Sequence, residues 1–248
     1  MIEGAGGFGP GHVRARMLRR RCEKWAAEVV RAIREGRLEV SRESPAGRIA
    51  LYSEISGNLL PPDLAAVELI NLLRPTVAVG RFIAFAGHAL HVHREAVRHL
   101  SAGAADAEIE AFIQEVRRFY PFFPMIGGRV LEEFSWLGHQ FSVGDWVLLD
   151  IYGTNRHQDS WPDPDRFDPS RFLRWAGDPY SLIPQGGGPF ETDHRCPGEW
   201  LTIALMGEAT RQLLAMDYTV PEQDLTVPMD RLPALPRSGF VMELAGRS

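Results

Sequence analysis

The residues best suited to chemistry crowd into one segment, Ile183–Thr202, which reads IPQGGGPFETDHRCPGEWLT. Cys196, one of only two cysteines in the chain, stands there after Gly186, Gly187 and Gly188 and before Pro197 and Gly198. Proline is favoured at the first position of a helix, so Pro197 predicts a helix opening there and running to about Met216, with Cys196 in its N-cap region. At such an end the free N–H groups and the helix dipole favour negative charge, and the thiolate is the reactive and metal-binding form of cysteine. His194 and Arg195 add donor or cationic groups beside it. The glycines allow the backbone to pass close to something flat or bulky.

These local features leave three uses open for Cys196: metal or heme ligation, nucleophilic catalysis with a histidine such as His194, or a structural role. A zinc site would call for more cysteines at short spacing, and Cys22 is the sole other one. A second constellation lies in EVRR, where Glu115 and Arg118 are three residues apart and so share one helix face. Glu115 falls in line with Phe112 and Phe119, which sets the pair beside a buried stripe; the alternative is an exposed helix pair. A buried ion pair is tolerable only with further hydrogen bonds, so a third partner is expected.

Helices must carry most of these groups. A first helix is expected from about His12 to Arg34, with Leu18, Cys22, Trp25, Val29 and Ile33 as its apolar stripe. Arg14, Arg16, Arg19, Arg20, Arg21 and Lys24 then form a solvated face, with contact to nucleic acid or membrane as the alternative. Asp63 to about Leu100 reads as a single long helix of roughly 55 Å. Its middle is apolar almost all round, which predicts burial on most sides, and Pro75 should kink it. A third helix spans Asp106 to Tyr120, with Ile109, Phe112, Val116 and Phe119 inward. Strands are expected at Val130–Phe134, Gln140–Val143 and Trp146–Ile151, followed by a Pro/Asp/Trp loop. The pattern is a mainly α fold with minor β.

The chain has 248 residues, 45% of them hydrophobic and 24% charged, an ordinary globular composition. A net charge of −5 argues against nucleic acid as the main partner. No stretch approaches the ~20 unbroken apolar residues of a membrane span. The segment Met1–Pro10 lacks the basic-then-apolar order of a signal peptide. Two cysteines make no disulfide framework, so a reducing, cytoplasmic setting is expected.

Glu-x-x-Arg, then PSRF at Pro169–Phe172, then a Gly-rich loop ending in Cys-x-Gly, come in an order that resembles the cytochrome P-450 family of heme-thiolate enzymes. The resemblance implies heme b as cofactor, with Cys196 as the proximal iron ligand. It implies cofactor contacts at His194, Arg195, Gly187 and Gly198, and a structural triad of Glu115, Arg118 and Arg171, which supplies the missing third partner. LLRP, PQGGG and HRCPGEW are similar to the bacterial peroxygenase branch, the fatty-acid hydroxylases and decarboxylases that use hydrogen peroxide. In that branch the residues matching Arg74 and Pro75 are catalytic: the arginine binds the substrate carboxylate above the iron, and the carboxylate replaces the acid that other members carry.

The implied partners are therefore a fatty acid and hydrogen peroxide, with no nucleic acid, no obligate membrane and no required redox partner. Two positions depart from the family pattern: Asp193 stands where glycine is usual and Pro189 where phenylalanine is usual. The resemblance covers the C-terminal part of the family fold, so residues 1–248 read as a partial domain without the N-terminal helices and first sheet strands. Two other readings stay open, a conventional monooxygenase of the same family and a truncated, non-catalytic remnant.

Overall fold

The computed structural model describes residues 10–230 and 232–245; the N-terminal segment read for targeting lies outside them but for Pro10. The chain, read from its sequence as one partial domain, divides into two compact units, Met1–Gly80 and Arg81–Ser248. Among the described residues it is mainly helical, with three separate two-stranded antiparallel sheets.

In the first unit, α1 (Pro10–Arg34) and α2 (Pro45–Ala50) pack with the first turns of α3 (Pro62–Val92). The core is built on small residues, Ala26, Ala27, Ala50, Ala65 and Ala66, with Val30, Ile33, Leu69 and Ile70 between them. Small side chains let helix backbones approach closely, and this rotates α1 away from the expected stripe. Trp25 is 56% exposed, whereas Ala26 and Ala27 are buried; Cys22 borders the core. The arginines at 14, 16, 19, 20 and 21 are exposed, as a solvated face requires. Arg34 closes the unit by donating to the carbonyl oxygens of Ala50 and Leu60, each at 2.8 Å.

Helix α3 continues through Pro75 and ends at Val92, eight residues earlier than expected, with the short α4 (Arg94–Val97) after it. Its middle is not buried on most sides. Leu72, Leu73 and Val77 are exposed, while Phe82, Phe85, Ala86 and Ala89 are buried in the second unit. By length and composition this helix would also suffice to cross a membrane. It does so by an apolar average and not by an unbroken apolar run, since Glu68, Arg74 and Arg81 interrupt it. A core helix of a globular protein has the same profile.

The second unit is organised by α5 (Asp106–Phe119), on which Ile109, Phe112, Ile113 and Val116 are buried. Beyond it β1 (Met125–Arg129) pairs with β4 (Trp146–Asp150), and β2 (Phe134–Trp136) pairs with β3 (His139–Phe141). The first strand lies five residues before its expected position. Gly127 and Gly128 weaken the sequence signal for a strand, but pairing decides. Gly127 sits opposite Leu148, and a Cβ there would meet the Leu148 side chain at 3.0 Å. After α6 (Ile151–Thr154) and a 3-10 turn at Pro169–Leu173 comes α7 (Glu199–Ala215), and β5 (Tyr218–Thr219) pairs with β6 (Glu243–Leu244). His88 on α3 ties in the terminal segment: Tyr120 Oη donates to Nδ1 at 2.7 Å, and Nε2 donates to the Leu225 carbonyl at 3.0 Å.

Candidate functional site

Helix α5 presents one charge network to the Pro/Asp/Trp loop. Arg118 is fully buried and grips Glu115 with both arms of its fork, Nε to Oε2 at 2.7 Å and Nη2 to Oε1 at 2.8 Å. Its remaining donors reach the carbonyls of Asn155 and Pro164 at 3.0 Å. Glu115 also accepts the Asp168 amide at 2.7 Å and faces Arg171 Nε at 3.3 Å. Arg171 spends its other donors on the carbonyls of Pro162 and Arg166. The structure thus brings Glu115, Arg118 and Arg171 together, and the desolvation of each charge is offset by several hydrogen bonds. Trp161, 2% exposed, packs under the Arg118 guanidinium and donates to the Ser181 carbonyl at 3.0 Å.

The same network reaches the cysteine loop through Asn155, whose Oδ1 accepts the Ile183 amide at 2.7 Å. From there the loop folds back on itself: Gly186 pairs with Arg195, and the Cys196 amide donates to the Gln185 carbonyl at 2.9 Å. Gly186 (φ +94°) must be glycine, because a Cβ would collide with the His194 carbonyl. Gly187 packs against Ile183 and Pro179, so protein contacts alone already account for its small size. Asp193, the departure from the family pattern, occupies the space a side chain on Gly188 would need, and Tyr180 Oη donates to it at 3.4 Å.

Helix α7 begins at Glu199 with Gly198 as N-cap, two residues later than Pro197 predicts. The Cys196 carbonyl accepts the Glu199 amide at 3.2 Å, so Pro197 and Gly198 form a turn rather than the first helical residues. Cys196 is a free, half-buried thiol. A Cβ on Gly198 would lie 3.7 Å from its sulfur, an ordinary contact. His194 is exposed. Arg195 turns inward instead: Nε and Nη2 donate to Glu199 at 2.7 and 3.2 Å, Nη1 donates to the Gly188 carbonyl at 3.3 Å, and the guanidinium lies over Phe190.

Sequence reasoning missed the group that completes this site, Arg117. It is 1% exposed, and it pairs with Glu199 through Nη2 and donates through Nε to Gln185 Oε1 at 3.2 Å. Burial pushes the Glu199 carboxyl up, but the hydrogen bond from Arg195 and the charge of Arg117 outweigh it and hold Glu199 below the ordinary carboxylate range. Arg117 stays charged, since a guanidinium is protonated even when buried. The signal available in the sequence was Glu199 itself, an acid ahead of the apolar run from Trp200 to Met206. Arg74 and Pro75 stand in the first unit, exposed on α3.

These residues fit a heme better than a bare ion. Among the described residues no three His, Cys, Asp or Glu side chains gather as a ligand set. A lone thiolate would suffice to hold a metal that a macrocycle already carries, and Cys196 would supply it. Two arginines, Arg117 buried and Arg195 half-buried, against one glutamate leave a positive surplus close to Cys196 in the chain, which suits an anionic sulfur.

Comparisons with known proteins agree. The family model for cytochrome P-450 matches residues 109–230. The fold superimposes on cytochrome P450SP alpha in complex with (R)-ibuprophen with a TM-score of 0.85 and 44% identity, over 97% of this chain and 59% of that one. A variant of OleT in complex with arachidonic acid gives 0.81 and 34%, over 100% and 60%. Ferruginol synthase of Salvia miltiorrhiza is 32% identical over 127 residues, 49% of this chain and 25% of that protein. The chain thus spans about a quarter of the curated relatives it matches and about 60% of the solved chains. The ordered networks around Cys196, the family match that encloses them and the fold that carries them lead to one assignment: residues 109–230 are a segment of the cytochrome P-450 family, whose members are oxidative enzymes.

Proposed function

We propose that this chain carries the heme-thiolate part of a hydrogen peroxide-dependent fatty-acid hydroxylase or decarboxylase. The observation that carries the reading is Arg74, a guanidinium set in an exposed apolar stretch of α3 among Leu72, Leu73 and Val77. A planar donor fork matches a carboxylate, and the apolar neighbours match an alkyl chain. Two of the similar solved structures were determined with fatty acids, P450EX alpha with myristic acid and OleT with arachidonic acid.

Cys196 would hold the iron and His194 would face the propionates, with the backbone around Gly187 and Gly198 close to the ring. Heme held by a thiolate supplies the O–O cleavage and substrate oxidation. Arg74 would bind and orient the acid, and the bound carboxylate would carry the proton that no side chain next to Pro75 supplies. Thr76, the nearest alcohol, donates to the Leu72 carbonyl at 3.2 Å and is engaged within the helix. Both cysteines are free thiols, and a cytoplasmic setting without a redox partner is proposed on the same footing. The plant relatives favour a second reading, a reductase-dependent monooxygenase.

Purified chain loaded with heme should show the red-shifted Soret band of a ferrous thiolate–carbon monoxide complex. It should turn over long-chain fatty acids with peroxide alone. Arg74→Ala should abolish turnover and leave that band in place. Turnover that survives Arg74→Ala sinks the carboxylate role, and turnover that needs a reductase and nicotinamide cofactor favours the second reading.

A further inference from the structure

Arg117 and Arg118 are consecutive, so their side chains leave α5 about 100° apart. Arg118 serves the triad, and Arg117 serves something else. Its Nη2 pairs with Glu199, its Nη1 donates to Gln114 and its Nε donates to Gln185. Each of the two long-range partners lies at one end of the cysteine loop. Gln185 holds the Cys196 amide with its backbone carbonyl at 2.9 Å, while its side-chain amide donates to Thr202 Oγ1 at 3.2 Å. Thr202 in turn donates to the Gly198 carbonyl at 3.0 Å. Glu199 holds Arg195, the residue directly before the cysteine, with both carboxylate oxygens.

Residues 185, 195 and 199 are therefore all clamped by one buried guanidinium, directly or through Glu199. None of these bonds involves Glu115, Arg118 or Arg171, whose network meets the loop farther from the sulfur, at Ile183 through Asn155. Two cations against one anion also leave a net positive charge in the network. We propose that Arg117 is the positioning residue for Cys196: acting through Glu199, Arg195 and Gln185, it fixes the backbone that presents the sulfur and sets its positive surroundings. The purpose of that positioning rests on the heme-thiolate reading, whereas the positioning itself does not.

The test is hydrogen exchange followed by mass spectrometry on the full chain without added heme, with the ferrous–carbon monoxide spectrum taken in parallel. Arg117→Lys keeps the charge and loses the fork. The double variant Arg117→Gln/Glu199→Gln removes one cation and one anion together, leaves the network's net charge unchanged and avoids an uncompensated buried ion. In both, exchange over residues 185–199 should rise about tenfold or more, the order expected for one lost charge-assisted hydrogen bond, while α1 and the β1–β4 sheet keep their wild-type rates. With heme, both variants should lose part of the thiolate band. Unchanged exchange over 185–199 overturns the proposal. So does an equal rise across the whole second unit, which would make Arg117 a general support of the fold. A wild-type chain without the thiolate band overturns the heme reading instead, and the exchange result still decides the positioning.

Discussion

Two charge networks leave α5 from neighbouring arginines, and they differ in what they hold. The Arg118 network grips irregular backbone: Arg118 and Arg171, joined by Glu115, donate to carbonyls of residues 155–168, in a loop rich in proline. The Arg117 network grips side chains and a reactive loop, with Glu199 as its centre. The first is a fastening that a fold needs wherever a long loop crosses a helix. The second is aimed at one residue, Cys196. A pair of adjacent identical side chains can thus divide the work of stability and of presentation, since a helix turns by about 100° per residue.

The largest effect should separate the two at once. Glu115→Ala leaves Arg118 charged and buried, with its two carboxylate bonds gone. A loss of about 3–5 kcal/mol in urea unfolding is expected, the cost of breaking a buried pair from one side. Arg171→Ala should cost less, about 1–3 kcal/mol, because Glu115 keeps Arg118 and the Asp168 amide. If the two changes cost the same, the triad is not centred on Arg118. A double-mutant cycle between Arg171 and Glu199 should show coupling below about 0.5 kcal/mol, as for sites without shared partners. Larger coupling would merge the networks into one.

Acid should test a third buried group that neither network uses. Burial, together with the charge of His91, holds His88 below its ordinary value despite its bond to the Leu225 carbonyl, so it is neutral in the folded chain. The unfolded chain takes up a proton near its ordinary value, about 6.5. Stability from this site is therefore full above that pH and is lost as pH falls from there toward the lower folded value. His88→Gln should flatten this acid limb in thermal melts taken across the range. His91 and His93, also held down by burial, keep part of the slope. An unaltered limb would remove His88 from the account.

The smallest effect concerns the departure from the family pattern. Asp193 is exposed and sits on the solvent side of Gly188. Asp193→Asn should change stability by less than about 0.5 kcal/mol, as surface substitutions usually do, and leave the thiolate band unmoved. A shifted band would mean that its charge reaches the sulfur.

Much of this was legible in the residue order. The spacing of Glu115 and Arg118 gave both the shared helix face and the need for a third partner, and Arg171 stood in the loop that supplies it. The helices at 10–34 and 106–119 follow from apolar periodicity, which is a local property. Strand β1 was misplaced because its glycines speak against a strand, whereas the partner that makes it one lies some twenty residues on. The rotation of α1 was missed because large apolar residues dominate a periodicity count, while close helix packing selects alanine.

By itself, then, the sequence determined the four long helices, apart from some of their ends, and one of the two charged clusters. Each of these is written in spacing along a single segment or in a recognisable order of short segments. Only the tertiary structure decided that Arg117 belongs to the cysteine, that Arg195 turns inward and that Asp193 fills the place beside Gly188. Those facts join residues up to 82 positions apart, and whether a charge is paired or exposed depends on which distant backbone packs against it.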